Sequence, residues 1–152
     1  MTKKAFIVSV FVCASFAMSG AHAATAKLLK AVGTAISANG VVTAVPAGTT
    51  VIDTQKIKCS NADGCIISVA AMVQAISNSG SGQWEICALV DGNLVQPGCP
   101  VQGTVPSSNY VVGNLRVDAS VDSGTYTLQT EIVMPAAGSI AARESEYTVF
   151  KN

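Results

Sequence analysis

Residues 111–134, VVGNLRVDASVDSGTYTLQTEIVM, carry the pattern that decides the fold class. Apolar and polar side chains alternate along the first half, as in a strand with one buried and one solvated face. The second half alternates in the same way, and Asp122-Ser123-Gly124 between the halves is a turn sequence. Two alternating runs joined by a short turn ending in glycine predict an antiparallel hairpin. The residues predicted to face the core are Val111, Leu115, Val117, Ala119, Val121, Tyr126, Leu128, Ile132 and Met134.

The segments around this stretch also favour strands. Ser139 to Phe150 is predicted to be the closing strand, with a bulge near Arg143 to Ser145 where the parity of the apolar residues changes. Trp84 to Val90 is predicted to be a strand that ends at the hairpin turn Asp91-Gly92. Cys65 to Ile76 is apolar on both parities, which suits either a central strand covered on both faces or a buried helix. Its β-branched residues favour the strand.

The strand count sets the expected architecture. About seven or eight strands with frequent turns predict an all-β fold, a single antiparallel two-sheet sandwich of immunoglobulin-like or jelly-roll type. The region from Ala24 to Ile57 is ambiguous, because Lys27 to Ile36 suits a short helix or a strand. Residues 24–152 are expected to form one domain.

Residues 1–23 have the organisation of a secretory signal peptide. Lys3 and Lys4 precede an apolar run from Ala5 to Met18, and Ala21-His22-Ala23 supplies the small residues that a signal peptidase requires. The apolar run is shorter than the ~20 residues that span a bilayer. We therefore expect cleavage between Ala23 and Ala24 and an exported protein, periplasmic or extracellular, without a membrane span.

Four cysteines remain after such cleavage, and an oxidising compartment favours two disulfides among them. They are Cys59, Cys65, Cys87 and Cys99. A four-thiolate metal site is disfavoured, because the spacing contains no Cys-x-x-Cys. Of the three possible pairings, Cys59 with Cys65 and Cys87 with Cys99 is favoured, since the loop between the first two is rich in turn-forming residues.

The composition of residues 24–152 excludes several kinds of chemistry. The only histidine of the chain is His22, so this part has no imidazole base for Ser-His or Cys-His catalysis and lacks the commonest zinc ligand. Seven basic residues against nine acidic ones give a net charge of −2, without a basic cluster that would attract nucleic acid. We expect no cofactor and no metal.

Carboxylates are the remaining candidates for catalysis. Glu131, Glu144 and Glu146 fall on strands predicted to be neighbours, and Glu85 and Asp91 lie at the Trp84 strand. A pair of such groups is what a glycan hydrolase requires, which makes this function an alternative. Their parity, however, places most of them on the solvated face of amphipathic strands, and we expect no enzyme activity.

The leading interpretation is a binding or structural role at the cell envelope or outside the cell, with a protein or a glycan as ligand. The stretch from Asp91 to Asn109 is long and rich in proline and glycine, and long connections in small domains are often functional. Tyr110 follows it on the polar parity and is the aromatic residue expected to be exposed. The predicted binding surface consists of Pro97, Pro100, Pro106 and Tyr110.

The last predicted strand suggests one further alternative. Gly138 to Phe150 resembles the closing strand of exported pilin-like subunits, which begins near a glycine and ends near an aromatic residue. The resemblance covers about a tenth of the exported chain, and Lys151 stands where such subunits usually have tyrosine. It implies assembly into a polymer by strand donation.

Overall fold

A computed structural model describes residues 28–37 and 42–151 of the chain. The predicted signal segment and its cleavage site at Ala23 and Ala24 lie outside these residues. The described chain forms ten strands in two antiparallel sheets. The strands are β1 (Leu28–Ser37), β2 (Thr43–Val45), β3 (Gly48–Cys59), β4 (Cys65–Ser77), β5 (Gly82–Val90), β6 (Asn93–Leu94), β7 (Val101–Val105), β8 (Val111–Val121), β9 (Gly124–Met134) and β10 (Gly138–Lys151).

The order of the strands identifies the sandwich as a jelly roll. Sheet A has the order β1-β10-β4-β8, and the short strand β2 also pairs with β10. Sheet B has the order β3-β9-β5, and β6 and β7 pair with successive parts of β5. From β3 to β10, most connections cross from one sheet to the other. The predicted two-sheet sandwich is confirmed, and eight strands have five or more residues, as expected; β2 and β6 are shorter additions.

The predicted hairpin in residues 111–134 is wrong. β8 pairs with β4 in sheet A, whereas β9 pairs with β3 and β5 in sheet B. The Asp122-Ser123 connection therefore crosses between the sheets, and its flanking strands lie in opposite sheets. Alternation predicts which side chains of a strand are buried. The alternating pattern is the same whether two successive strands pair in one sheet or lie in opposite sheets. The predicted burial holds, since Leu115, Val117 and Leu128 all lie in the core.

Two crossing connections lie next to each other at one end of the sandwich. Cys59 ends β3, Cys65 begins β4, and a disulfide joins them across the sheets with Cα atoms 5.9 Å apart. In the register of the sheets, Cys65 faces Val121 and Cys59 faces Gly124, so the β8–β9 connection lies beside the disulfide. The second disulfide joins Cys87 of β5 to Cys99. Both disulfides are the ones that the spacing favours.

Four local predictions meet different outcomes. Residues 28–37 form a strand rather than a helix, and Asp91-Gly92 is the turn between β5 and β6, with positive φ at both residues. The bulge of β10 is at Ala141, not near Arg143 to Ser145, because the register with β4 skips from Ile140 to Ala142. β4 is a strand, but its outer face is not fully covered: Met72 is 37% exposed.

The core depends on one close approach between the sheets. Trp84 on β5 is fully buried, and its ring reaches Gly113 on β8 in the opposite sheet. A Cβ atom at residue 113 would lie 2.6 Å from the Trp84 ring. Glycine at this position therefore leaves room for the largest side chain of the core to reach the opposite sheet.

Candidate functional site

The outer face of sheet A contains a depression of about 280 Å³ above the middle of β4. It is formed by two rows of residues that lie side by side across β10, β4 and β8. One row is Glu144, Met72 and Asn114, and the other is Glu146, Ala70 and Arg116. Ala70 is short and its row neighbours are long, so the surface is hollow at this point. The outward side chains around it are Ala70, Met72, Asn114, Arg116, Glu144 and Glu146.

Charges of opposite sign lie on the two sides of the depression. Arg116 on β8 and Glu146 on β10 both face Ala70 of β4, so about two strand spacings, ~9.6 Å, separate their backbones. Within the described residues, no ion pair joins Arg116 to Glu144 or Glu146. Glu146 instead accepts a hydrogen bond from the Thr148 hydroxyl over 3.2 Å. The apolar floor is thus flanked by a cation and two anions that do not neutralise each other by contact.

The predicted grouping of carboxylates is wrong in part. Glu131 lies on β9 in sheet B, whereas Glu144 and Glu146 lie on the outer face of sheet A, so β9 and β10 are not neighbours in one sheet. Glu144 and Glu146 are two residues apart on one strand, with Cα atoms ~7 Å apart. Both side chains are exposed to solvent.

The predicted proline and tyrosine surface falls on two separate connections. Pro97 and Pro100 lie between β6 and β7, on the segment that the Cys99 disulfide ties to β5. Pro106 and Tyr110 lie between β7 and β8, where the Pro106 carbonyl accepts a hydrogen bond from the amide of Ser77. β7 therefore separates the two pairs. That these residues bind a ligand stays a prediction.

The aromatic side chains of the described residues are turned inward or half-buried. Trp84 and Tyr147 are fully buried, and Tyr110, Tyr126 and Phe150 are half-buried. The expectation that Tyr110 would be exposed is therefore met only in part. Within the described residues, no aromatic side chain is fully exposed at the surface.

A buried polar group lies between the sheets. The hydroxyls of Tyr147 on β10 and Thr130 on β9 are 2.8 Å apart, and Asp53 and Ser145 lie close by. Burial, with the nearby Asp53 carboxylate, raises the pKa of Tyr147 to about 12. This hydrogen bond joins the two sheets through the core, so its role is structural.

One set of potential metal ligands is blocked by its own chemistry. A carboxylate oxygen of Glu85 and the sulfur atoms of Cys87 and Cys99 lie within 4.8 Å of one another. The two sulfur atoms form a disulfide, however, and thiolates are the form of cysteine that binds metals. The described part of the chain also has no helix long and apolar enough to cross a membrane.

Comparison with known proteins found similarities only among solved structures. No family model matches the chain, and no curated protein matches it in sequence. Among solved structures, dimeric latent PorU from Porphyromonas gingivalis aligns over 84% of this chain and 14% of that chain, with 13% identity and a TM-score of 0.47. The CBM22-1 xylan-binding domain of Paenibacillus barcinonensis Xyn10C aligns over 84% and 97%, with 13% identity and a TM-score of 0.40. A family 35 carbohydrate binding module from Clostridium thermocellum aligns over 75% and 97%, with 10% identity and a TM-score of 0.34.

Carbohydrate-binding β-sandwich modules are thus among the solved structures that this chain resembles. With identities of 10–13% and TM-scores below 0.5, these likenesses carry no argument about the function of this chain. The function therefore has to be argued from the surface of this chain. Arg116, Met72 and Asn114 were not singled out as site residues from the sequence, because each is unremarkable in its own strand. Only the register of β8, β4 and β10 brings them together.

Proposed function

We propose that this protein is an exported, disulfide-stabilised binding protein that holds a protein ligand on the outer face of sheet A and catalyses no reaction. The organisation of residues 1–23 supports export, and the two disulfides are typical of proteins in oxidising compartments. The depression around Met72 supports the binding role.

The observation that carries the proposal is the exposed apolar floor between opposite charges. Met72 lies on a central strand of its sheet, yet it is 37% exposed. Methionine and arginine are both enriched at protein interfaces, and methionine adapts its shape to a partner. Arg116 and the two glutamates can fix the orientation of a partner that carries complementary charges. Sugar binding by stacking would require an exposed aromatic ring, and every aromatic side chain of the described residues is buried or half-buried.

The chemistry of the chain supports binding rather than catalysis. Residues 24–152 contain no histidine, and Glu144 and Glu146 share one solvated environment. A glycan hydrolase needs two carboxylates whose environments give them different roles. Strand donation beside the last strand would need an exposed sheet edge there. β10 is instead paired on both sides, with β4 along one edge and with β1 and β2 along the other.

Photo-crosslinking in the envelope of the producing cell tests the proposal. A benzophenone amino acid placed at position 72 should give an adduct with one defined protein. The same group at position 129, on the outer face of sheet B, is the matched control and should give none. Met72→Glu should abolish binding of the purified partner, and Glu131→Lys on the opposite face should leave it unchanged.

Three results would contradict the proposal. Equal adducts from both positions would mean that the face of sheet A is not selective. No adduct from position 72 would mean that no protein binds there. Binding to a glycan array that is lost in Met72→Glu would keep the site but make its ligand a glycan rather than a protein.

A further inference from the structure

β8 is the most regular of the strands at the sheet edges. It pairs with β4 through consecutive positions from Val111 to Val121, without a register shift. The other edges are interrupted: β3 carries a bulge at Ile52, β1 has an irregularity between Leu28 and Lys30, and the edge beside β5 is divided between β6 and β7. Bulges and short strands protect an edge from pairing with another chain, and β8 has neither.

One hydrogen bond shows which main-chain groups of β8 point away from the sheet. The amide of Asn114 donates to the side-chain oxygen of Gln102 on β7 over 2.8 Å, and therefore does not point towards β4. Amide and carbonyl groups alternate in direction along a strand. The main-chain groups of Arg116, Asp118 and Ser120 therefore point outward along the free edge of sheet A, beyond the position that Gln102 covers.

This alternation restricts how two copies of β8 could pair. In an antiparallel pair around a twofold axis, outward-pointing residues must face outward-pointing residues. An axis at Val117 satisfies this condition and places Arg116 opposite Asp118 of the second copy, twice. An axis at Arg116 or at Asp118 would place like charges directly opposite each other, which is destabilising. Of these three axes, the order of charges on the edge therefore favours the one at Val117.

We propose that two copies of this chain pair through antiparallel β8 strands around an axis at Val117, which joins the two A sheets into one. Two hydrogen-bonded residue pairs, each Arg116 with Asp118, contribute four main-chain hydrogen bonds. On the core side, Ala119, which is half-buried, comes opposite Leu115 of the second copy and is covered by it. The pairing does not depend on any ligand of the outer face.

Charge-reversal variants test the register, and both residues are exposed, so the variants retain the fold. Sedimentation equilibrium of the purified protein, with its disulfides oxidised, should show a dimer. Arg116→Asp and Asp118→Arg each replace two attractive pairs with two repulsive ones and should weaken dimerisation by about 10- to 100-fold. Lys56→Glu on the β3 edge is the matched control and should leave dimerisation unchanged.

Mixing the variants gives the decisive result. An equimolar mixture of Arg116→Asp and Asp118→Arg restores both Arg–Asp pairs across the two chains and should form a heterodimer as tight as the wild-type dimer. If the wild-type protein is still monomeric at about 100 µM, the proposal is overturned. Single variants that dimerise like the wild type, or a mixture that stays monomeric, would also overturn it.

Discussion

Truncating Leu128 to alanine measures how much the facing sheets gain from packing together. Leu128 is fully buried on the inner face of β9, between Gln55 of β3 and Val90 of β5. The substitution removes three carbon atoms, a loss of ~2.4 kcal/mol at ~0.8 kcal/mol per carbon. A cavity of ~80 Å³ that does not collapse would add ~2 kcal/mol at ~24 cal/mol per Å³. We therefore expect the free energy of unfolding to fall by about 2–4 kcal/mol.

Gln129→Ala is the matched control, because it lies on the same strand one residue further on and points to the outer face. It is half-buried there, and we expect a change within about 0.5 kcal/mol. Leu128→Met keeps the volume and should cost less than ~1.5 kcal/mol. Urea unfolding of the oxidised proteins measures all three. With a slope of ~2 kcal/mol per M, a loss of 3 kcal/mol lowers the midpoint by ~1.5 M.

Two outcomes would refute this reasoning. Equal losses for Leu128→Ala and Gln129→Ala would mean that the outer face of sheet B is also covered, by a partner or a second layer. A larger loss for Gln129→Ala would mean that the strand is shifted by one residue, because such a shift exchanges its two faces.

Three further predictions concern other parts of the chain. Gly113→Ala should destabilise the fold by about 1–3 kcal/mol in urea unfolding, because the new Cβ would lie 2.6 Å from the buried Trp84 ring. Gly33→Ala is the control and should be nearly neutral, because the nearest atom to its new Cβ would be 3.7 Å away. Stability should fall between pH 10 and pH 12, because Tyr147 ionises near its ordinary pKa of 10 in the unfolded chain but keeps its proton up to about pH 12 in the folded chain. The expected loss is about 2–3 kcal/mol, and Tyr147→Phe should remove it. An absorbance titration of the folded protein should show one tyrosine that ionises later than the others. The intact mass of protein recovered from the periplasm or medium should correspond to a chain that starts at Ala24, and a full-length chain in the membrane fraction would contradict export.

The sequence predicts burial better than it predicts pairing. Alternation in β8 and β9 correctly identifies the core faces of both strands, since a side chain's face depends only on the period of two. It cannot distinguish a hairpin from a connection between sheets, and Asp122-Ser123-Gly124 suits both. The distinction depends on contacts far apart in the chain, above all on β4, which lies between β8 and β10. The local disulfide pairing was predictable, because it depends on a turn within a short loop.

The candidate site was less predictable for the same reason. Met72 belongs to a run that is largely apolar on both parities, and the expectation that both faces of β4 are covered was wrong there. Ser68 and Gln74, the polar residues on the parity of Met72, were the only sign in the sequence that this face is the outer one. Arg116 and Glu146 are 30 residues apart in the chain, and each is an ordinary polar residue of an amphipathic strand. Only the sheet order makes them the two walls of one depression. A site built across strands from different hairpins or sheets leaves no local motif.

Arg116 belongs both to the depression around Met72 and to the edge of β8. In the proposed dimer, the row Glu146, Ala70, Arg116 continues directly into Asp118 and Ser68 of the second copy, so the outer faces of the two A sheets form one surface. Asp118 of the second copy is one strand away from Arg116, whereas Glu146 is two strands away. The arginine is therefore drawn towards the dimer axis, which leaves the glutamates as the unpaired charge beside Met72. A partner that binds the dimer should then present a basic group to this face, and one that binds the monomer should present both signs of charge.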